Sequence, residues 1–198
     1  MRPAVMASIR PKWCAKIEGG RKTVEVRTTR PKIDPPFRCY MYCSKGSNKL
    51  LDIIRDGDCN YGEIYHGPPV FITSPEDSFY YGNHGKVVGD FICDKIITIQ
   101  PGKIRELMQS GTLDGCYTGM TTREFVKYAG EKTVYFWHIS DLNMDYMPRE
   151  LTEFRRVCRN DLYCESCAMF SANKSRCGNA ALYLTRPPQS WCYVEEMK

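Results

Sequence analysis

Two groups of residues in this 198-residue chain have types and spacings that could do chemistry. The first is Lys22, Glu25 and Arg27, which follow a glycine pair at Gly19-Gly20. A lysine here could bind phosphate, or act as a base if burial lowers its pKa. Glu25 could accept a base-edge amine or move a proton. Arg27 could hold a phosphate through its planar fork. The plain alternative is that all three are solvated strand residues paired with neighbours. Upstream, Arg10 and Lys12 add two cations, and Trp13 adds a ring that is either core or a stacking platform for a base.

The second group is the cysteine run Cys158-x5-Cys164-x2-Cys167-x9-Cys177. Four thiolates including one tight pair suit tetrahedral zinc, because two sulfurs of a CxxC turn reach the same ion. Turn-forming residues surround them and apolar residues are few, so the segment needs a staple to hold a fold. Cys192 and His138 stand as substitutes for one ligand. The alternative is four reduced cysteines without metal. An odd total of eleven cysteines at irregular spacing argues against a secreted disulfide framework, and points to a cytoplasmic protein with reduced thiols. Cys14, Cys39, Cys43, Cys59, Cys93 and Cys116 read as packing residues. His66, His84 and His138 form no motif.

Charge is unevenly placed. The net charge is +5, but residues 1–40 carry ten Lys or Arg against three acids. The excess of seven positive charges suits phosphate contact, since Lys and Arg release condensed counterions from nucleic acid. Hydrophobic residues make up 42% and charged residues 26%, ordinary for a globular chain. There is no apolar run of about 18 residues, so no membrane span is expected.

The elements that must position these groups follow from local pattern. Residues 4–9 read as a strand. Pro11 suits the first position of a helix, and Gly19-Gly20 ends it. Residues 22–27 alternate, with Val24 and Val26 on one face and Thr23, Glu25 and Arg27 on the other. That pattern predicts a half-buried strand showing its polar face to solvent or ligand. Residues 37–43 and 85–99 are further strands, the latter rich in β-branched residues. Residues 104–108 and 121–128 are short helices, the second opened by a Thr121/Glu124 capping box, and residues 133–139 form an aromatic-rich strand. Residues 44–84 carry turn signals and little periodicity, so they read as a loop insertion.

Three segments together resemble the ASCH family, in particular the group common in bacteria and their prophages. They are Ser8-Ile9-Arg10-Pro11-Lys12-Trp13 with Glu18-Gly19-Gly20-Arg21-Lys22-Thr23-Val24-Glu25-Val26-Arg27; Gly85-Lys86-Val87-Val88-Gly89-Asp90-Phe91; and Trp137-His138-Ile139-Ser140-Asp141-Leu142 with Arg186-Pro187-Pro188-Gln189-Ser190-Trp191-Cys192-Tyr193-Val194. The resemblance implies an α+β fold, a PUA-like mixed β-barrel with short flanking helices. Residues 1–154 and 185–198 would form the barrel, and residues 155–184 a zinc-knuckle-like insert. It also implies a basic cleft for RNA, a nucleotide or a modified nucleoside, lined by Arg10, Lys12, Trp13, Lys22, Glu25, Arg27, Ser190 and Trp191. Some small ASCH proteins are similar to amidohydrolases that deacylate N4-acetylcytidine, using a lysine, a threonine three residues on and a distant glutamate. Lys22 matches the lysine, Glu25 stands at the threonine position, and the glutamate falls near Thr118. Three readings therefore stand: a binding module for RNA or a nucleotide, a nucleoside or RNA hydrolase working through Lys22 and Glu25, and a protein-interaction module built on the insert.

Overall fold

The computed structural model describes residues 3–45, 85–103, 116–158, 170–171, 176–177 and 179–197. The expected helix at 104–108 and nearly all of the 44–84 insertion lie outside them, as do Cys59, His66 and His84.

The main sheet has six strands: β1 (Pro3–Ile9), β2 (Val24–Arg27), β3 (Phe37–Cys43), β4 (Lys86–Ile99), β5 (Val134–Glu150) and, at the end of the chain, β8 (Trp191–Glu195). Their order is β2-β5-β4-β3-β1-β8. β1 runs parallel to β3, and every other pairing is antiparallel. The fold is α+β as expected, with one correction. The sheet is mixed but not closed, because β2 and β8 are its two edges and do not pair.

Period-2 alternation builds two layers. Val5, Ala7 and Ile9 of β1 join Cys39, Met41 and Cys43 of β3, with Phe91, Cys93 and Trp137, in an inner core. The intervening residues Ala4, Met6, Tyr40 and Tyr42 face the other way and meet Leu151, Phe154, Leu184 and Val194. Tyr40 and Phe154 meet edge-on at 4.9 Å. Cys39 and Cys43 thus pack on one face of a strand, as the sequence predicts.

Helix α1 (Pro11–Glu18) starts at the proline and is capped at Gly19. Its Cys14, Ala15 and Ile17 enter the inner core. Helix α2 (Thr122–Ala129) carries the predicted capping box: the Thr121 hydroxyl accepts from the Glu124 N–H, and the Glu124 carboxylate accepts from the Thr121 N–H. Phe125 and Ala129 of α2 cover Val24, Val26, Val134 and Phe136. This layer changes the reading of β2. All four of its residues are buried, so the strand expected to show a polar face instead has both faces covered.

β5 extends to Glu150, well beyond the predicted end at 139. The strand bends through register shifts against β4, with Asp141 at φ +44°. At Gly89 the two strands come so close that a side chain would strike the Asn143 carbonyl and Met144 backbone, which explains the glycine in a β-branched run.

Two excursions leave the sheet. Before residues 46–84 the chain departs from the end of β3, and Gly85 N–H returns to the Cys43 carbonyl at 2.8 Å. Around the cysteine-rich segment, Arg156 N–H donates to the Leu182 carbonyl and Glu195 N–H to the Arg155 carbonyl, each at 2.8 Å. The stem at 154–156 and 182–184 is therefore built onto β8 and the outer core. Within the segment, β6 (Phe170–Ser171) pairs with β7 (Arg176–Cys177).

Candidate functional site: a buried charge network beneath a lysine-ringed tryptophan

Lys22, Glu25 and Arg27 come together inside the sheet, between α1 and β8. Their relative exposures are 3%, 6% and 6%, so water does not solvate them. Glu25 sits between two cations: Lys22 Nζ lies 3.3 Å from its Oε2 and Arg27 Nε lies 2.9 Å from its Oε1. Neither Glu25 Oε2 nor Arg27 Nε has a well-aligned hydrogen bond. The contact of Lys22 with Oε2 is a long ion pair, so this oxygen can still accept from a better-aligned donor. A buried unsatisfied oxygen of this kind is rare enough to need a reason.

The network's other valences are committed. Lys22 Nζ donates to the Val24 carbonyl at 2.7 Å and the Thr118 carbonyl at 3.1 Å. Arg27 reaches across the open edge, donating from Nη1 to the Ser190 carbonyl and hydroxyl and from Nη2 to the Ser8 carbonyl. Burial pulls the Lys22 ammonium below the ordinary lysine value, and Glu25 acts against that shift. Burial likewise pushes the Cys14 thiol well up, with Cys43 and Glu25 adding to it.

Above the network lies Trp13, half-buried on α1, with three ammonium groups around its ring: Lys12 at 4.5 Å, Lys16 at 5.3 Å and Lys22 at 5.5 Å from the centroid. Lys12 also pairs with Glu124 at 2.6 Å. Burial would raise the Glu124 carboxyl, but hydrogen bonds from Lys12 and Thr121 hold it below the usual range. The turn before α2 supplies the rest. Its Gly119 carbonyl accepts from Lys16 Nζ at 3.0 Å, and Tyr117 and Thr23 exchange hydrogen bonds at 2.8 Å. Gly119 has φ +67°, and a Cβ there would sit 3.2 Å from both Lys16 and Lys22.

The structure thus gathers Lys12, Trp13, Lys22, Glu25, Arg27 and Ser190 in one neighbourhood. Arg10 caps α1 through its backbone and its side chain is exposed. Trp191 lies beyond Ser190, edge-on to Trp137 at 6.0 Å, with Nε1 donating to Thr29. The position matched to the distant glutamate, Thr118, does fall beside Lys22, but through its carbonyl. The 117–119 turn and Lys16 were missed by sequence reasoning; Gly119 was the one signal available.

The metal candidates divide. Cys158 is half-buried, and Cys177 is placed on β7 by its backbone. Cys164 and Cys167 lie outside the described residues. Among the described residues no three potential ligands cluster. Of the two substitutes, His138 is engaged by Asp94 at 2.6 Å, while Cys192 lies on β8.

No family model matches the sequence, and no curated protein matches it. Solved structures do match. The crystal structure of ASCH from Zymomonas mobilis superposes with a TM-score of 0.52 at 14% identity, covering 98% of this chain and 88% of that one. Two point mutants of the same protein give 0.54 and 0.52, at 14% and 13% identity, with equal coverage of this chain. This chain has an ASCH-like fold. No helix among the described residues is long and apolar enough to cross a membrane.

Proposed function

We propose that this protein binds RNA or a nucleotide on the face formed by α1, β2 and the 117–119 turn. The observation that carries this reading is Glu25 Oε2, a buried carboxylate oxygen that has an ion pair to Lys22 but no well-aligned hydrogen bond, beneath a tryptophan ringed by lysines. Base-edge N–H groups are the natural partners of such an oxygen. Trp13 gives the base a stacking surface, and Lys12 and Lys16 give its phosphates a positive field. Lys22 serves a different purpose from the phosphate contact expected of it. Its ammonium is occupied by two carbonyls and the ion pair to Glu25, so it positions Glu25. A thermal-shift screen of nucleosides, modified nucleosides and short RNAs tests this. Hits that carry an amino or imino edge should lose their shift in Glu25→Gln, and retention of every hit would remove Glu25 from the site.

A hydrolase reading is favoured by one specific observation, the depressed ammonium of Lys22 beside Glu25. In that reading Lys22 and Glu25 divide proton transfer on a nucleoside amide or an RNA ester. Chromatography of N4-acetylcytidine or an oligoribonucleotide after incubation decides it: product that disappears in Glu25→Gln supports catalysis.

The cysteine-rich segment is proposed to hold one structural zinc through Cys158, Cys164, Cys167 and Cys177, and to offer a surface for a protein partner. The spacing and the poverty of apolar residues support this.

A further inference from the structure

An open cleft of about 590 Å³ lies where the stem of the cysteine-rich segment bridges β8 through Arg156 and Val194. Its walls are Trp191 and Tyr193 of β8, Ile33 and Pro3, and the strip Arg156-Val157-Cys158, with Cys192 alongside. The volume is in the range of small-ligand sites. Both rings are held in place by their polar ends. Trp191 Nε1 donates to the Thr29 hydroxyl at 2.9 Å, and the Tyr193 hydroxyl accepts from the Lys32 N–H at 2.6 Å. The rings stand edge-on to one another at 5.4 Å. A ligand that stacks here pays little to order them.

Among the described residues that line the cleft the charge has one sign: none is acidic, and Arg156 is exposed and forms no ion pair among the described residues. Its neighbour Arg155, by contrast, is committed to Glu195 at 3.5 Å. A fixed aromatic wall with one unspent guanidinium fits a flat ring carrying a phosphate.

We infer that this cleft is a second nucleotide site, which takes a base against Trp191 and Tyr193 and a phosphate on Arg156. It rests on the nucleotide-binding reading for the class of ligand, but it uses none of the residues of the α1 face. The shared chemistry is that of a 5′-nucleotide, supplied either free or as one unit of a single strand.

The Cys192 thiol reports occupancy, since Cys158 is one of the proposed zinc ligands. Wild type, Arg156→Ala and Lys16→Ala are alkylated with a maleimide in the presence of AMP, UMP or an eight-residue oligouridylate, and labelling of Cys192 is followed by peptide mass spectrometry. A ligand at twice its dissociation constant should slow labelling about threefold by mass action. The expected result is protection in wild type and Lys16→Ala that is lost in Arg156→Ala. Arg156 is exposed, so its loss leaves the core intact; Trp191→Phe, which keeps a ring in the wall, checks stacking by weakening protection without abolishing it. Protection by mononucleotides identifies a free nucleotide as the source, and protection by the oligonucleotide alone identifies RNA. No protection while oligonucleotide binding remains sensitive to Lys16→Ala would overturn the cleft and leave the α1 face standing. No protection and no binding would overturn both. Equal protection in Arg156→Ala would refute the phosphate assignment.

Discussion

The Arg27 guanidinium lies 3.0 Å from the Ser190 carbonyl and 3.1 Å from its hydroxyl, and so joins β2 to the chain entering β8, the two outermost strands of the sheet. Trp191 with Thr29 and Tyr193 with Lys32 continue the same seam. An arginine suits this task because its fork serves two strands at once while its Nε faces Glu25. Side chains thus do across this gap what backbone pairing does elsewhere in the sheet.

Removing Arg27 should be costly. Arg27→Ala opens the seam and leaves Glu25 buried with a single cation, a change of about 3–5 kcal/mol in unfolding free energy. Ser190→Ala, which keeps the carbonyl acceptor, should cost about 1 kcal/mol. In urea unfolding the double variant Arg27→Ala/Glu25→Gln should recover part of the loss, because no buried charge is then abandoned. Strict additivity would show that the two side chains do not act as a pair.

Buried thiols should lower stability at alkaline pH. Burial pushes the Cys93 thiol up to about 12, ahead of the smaller effect of Asp94, and burial raises Cys14 and Cys39 in the same direction. A thiol whose folded pKa is raised stays protonated in the native state while the unfolded chain ionises. Its contribution is complete below the unfolded value near 9 and is lost as pH climbs towards 12. Melting temperature should therefore fall from pH 9 upward, and Cys93→Ala should fall less steeply over that window, whatever its offset at neutral pH. Parallel curves would remove Cys93 as a cause.

Zinc should be present at about one ion per chain in protein purified without added metal. Elemental analysis of wild type and Cys164→Ser decides: metal well below stoichiometry and unchanged by the substitution would leave the cysteine segment without its staple.

Local chemistry made several elements legible. Pro11 and Gly19 mark the limits of α1, Thr121 and Glu124 open α2, and the aromatic-rich residues 37–43 form β3. Beyond 139 the sequence Ser140-Asp141-Leu142-Asn143 has no apolar run, and the bend at Asp141 conceals that β5 continues. β2 misled for a different reason. Its charged residues alternate with valines as a solvated face would, yet they pair with one another under the cover of α1 and β8. The Lys22-Glu25-Arg27 spacing was visible, but the seam to Ser190 spans 163 positions and leaves no local trace. The ion pairs of Arg38 with Asp90 and Glu196 were unreadable for the same reason.

On the proposed reading, nucleic acid is held at the α1 face rather than by diffuse charge. Fluorescence anisotropy with single-stranded RNA across a salt series tests it most directly, comparing Lys16→Ala with Lys103→Ala, an exposed lysine on the short helix after β4. A compact site touching two to four phosphates predicts a shallow slope, roughly −0.7 per phosphate, that becomes less steep by about one such increment in Lys16→Ala and stays unchanged in Lys103→Ala. Equal loss of affinity and slope in the two variants would contradict the account.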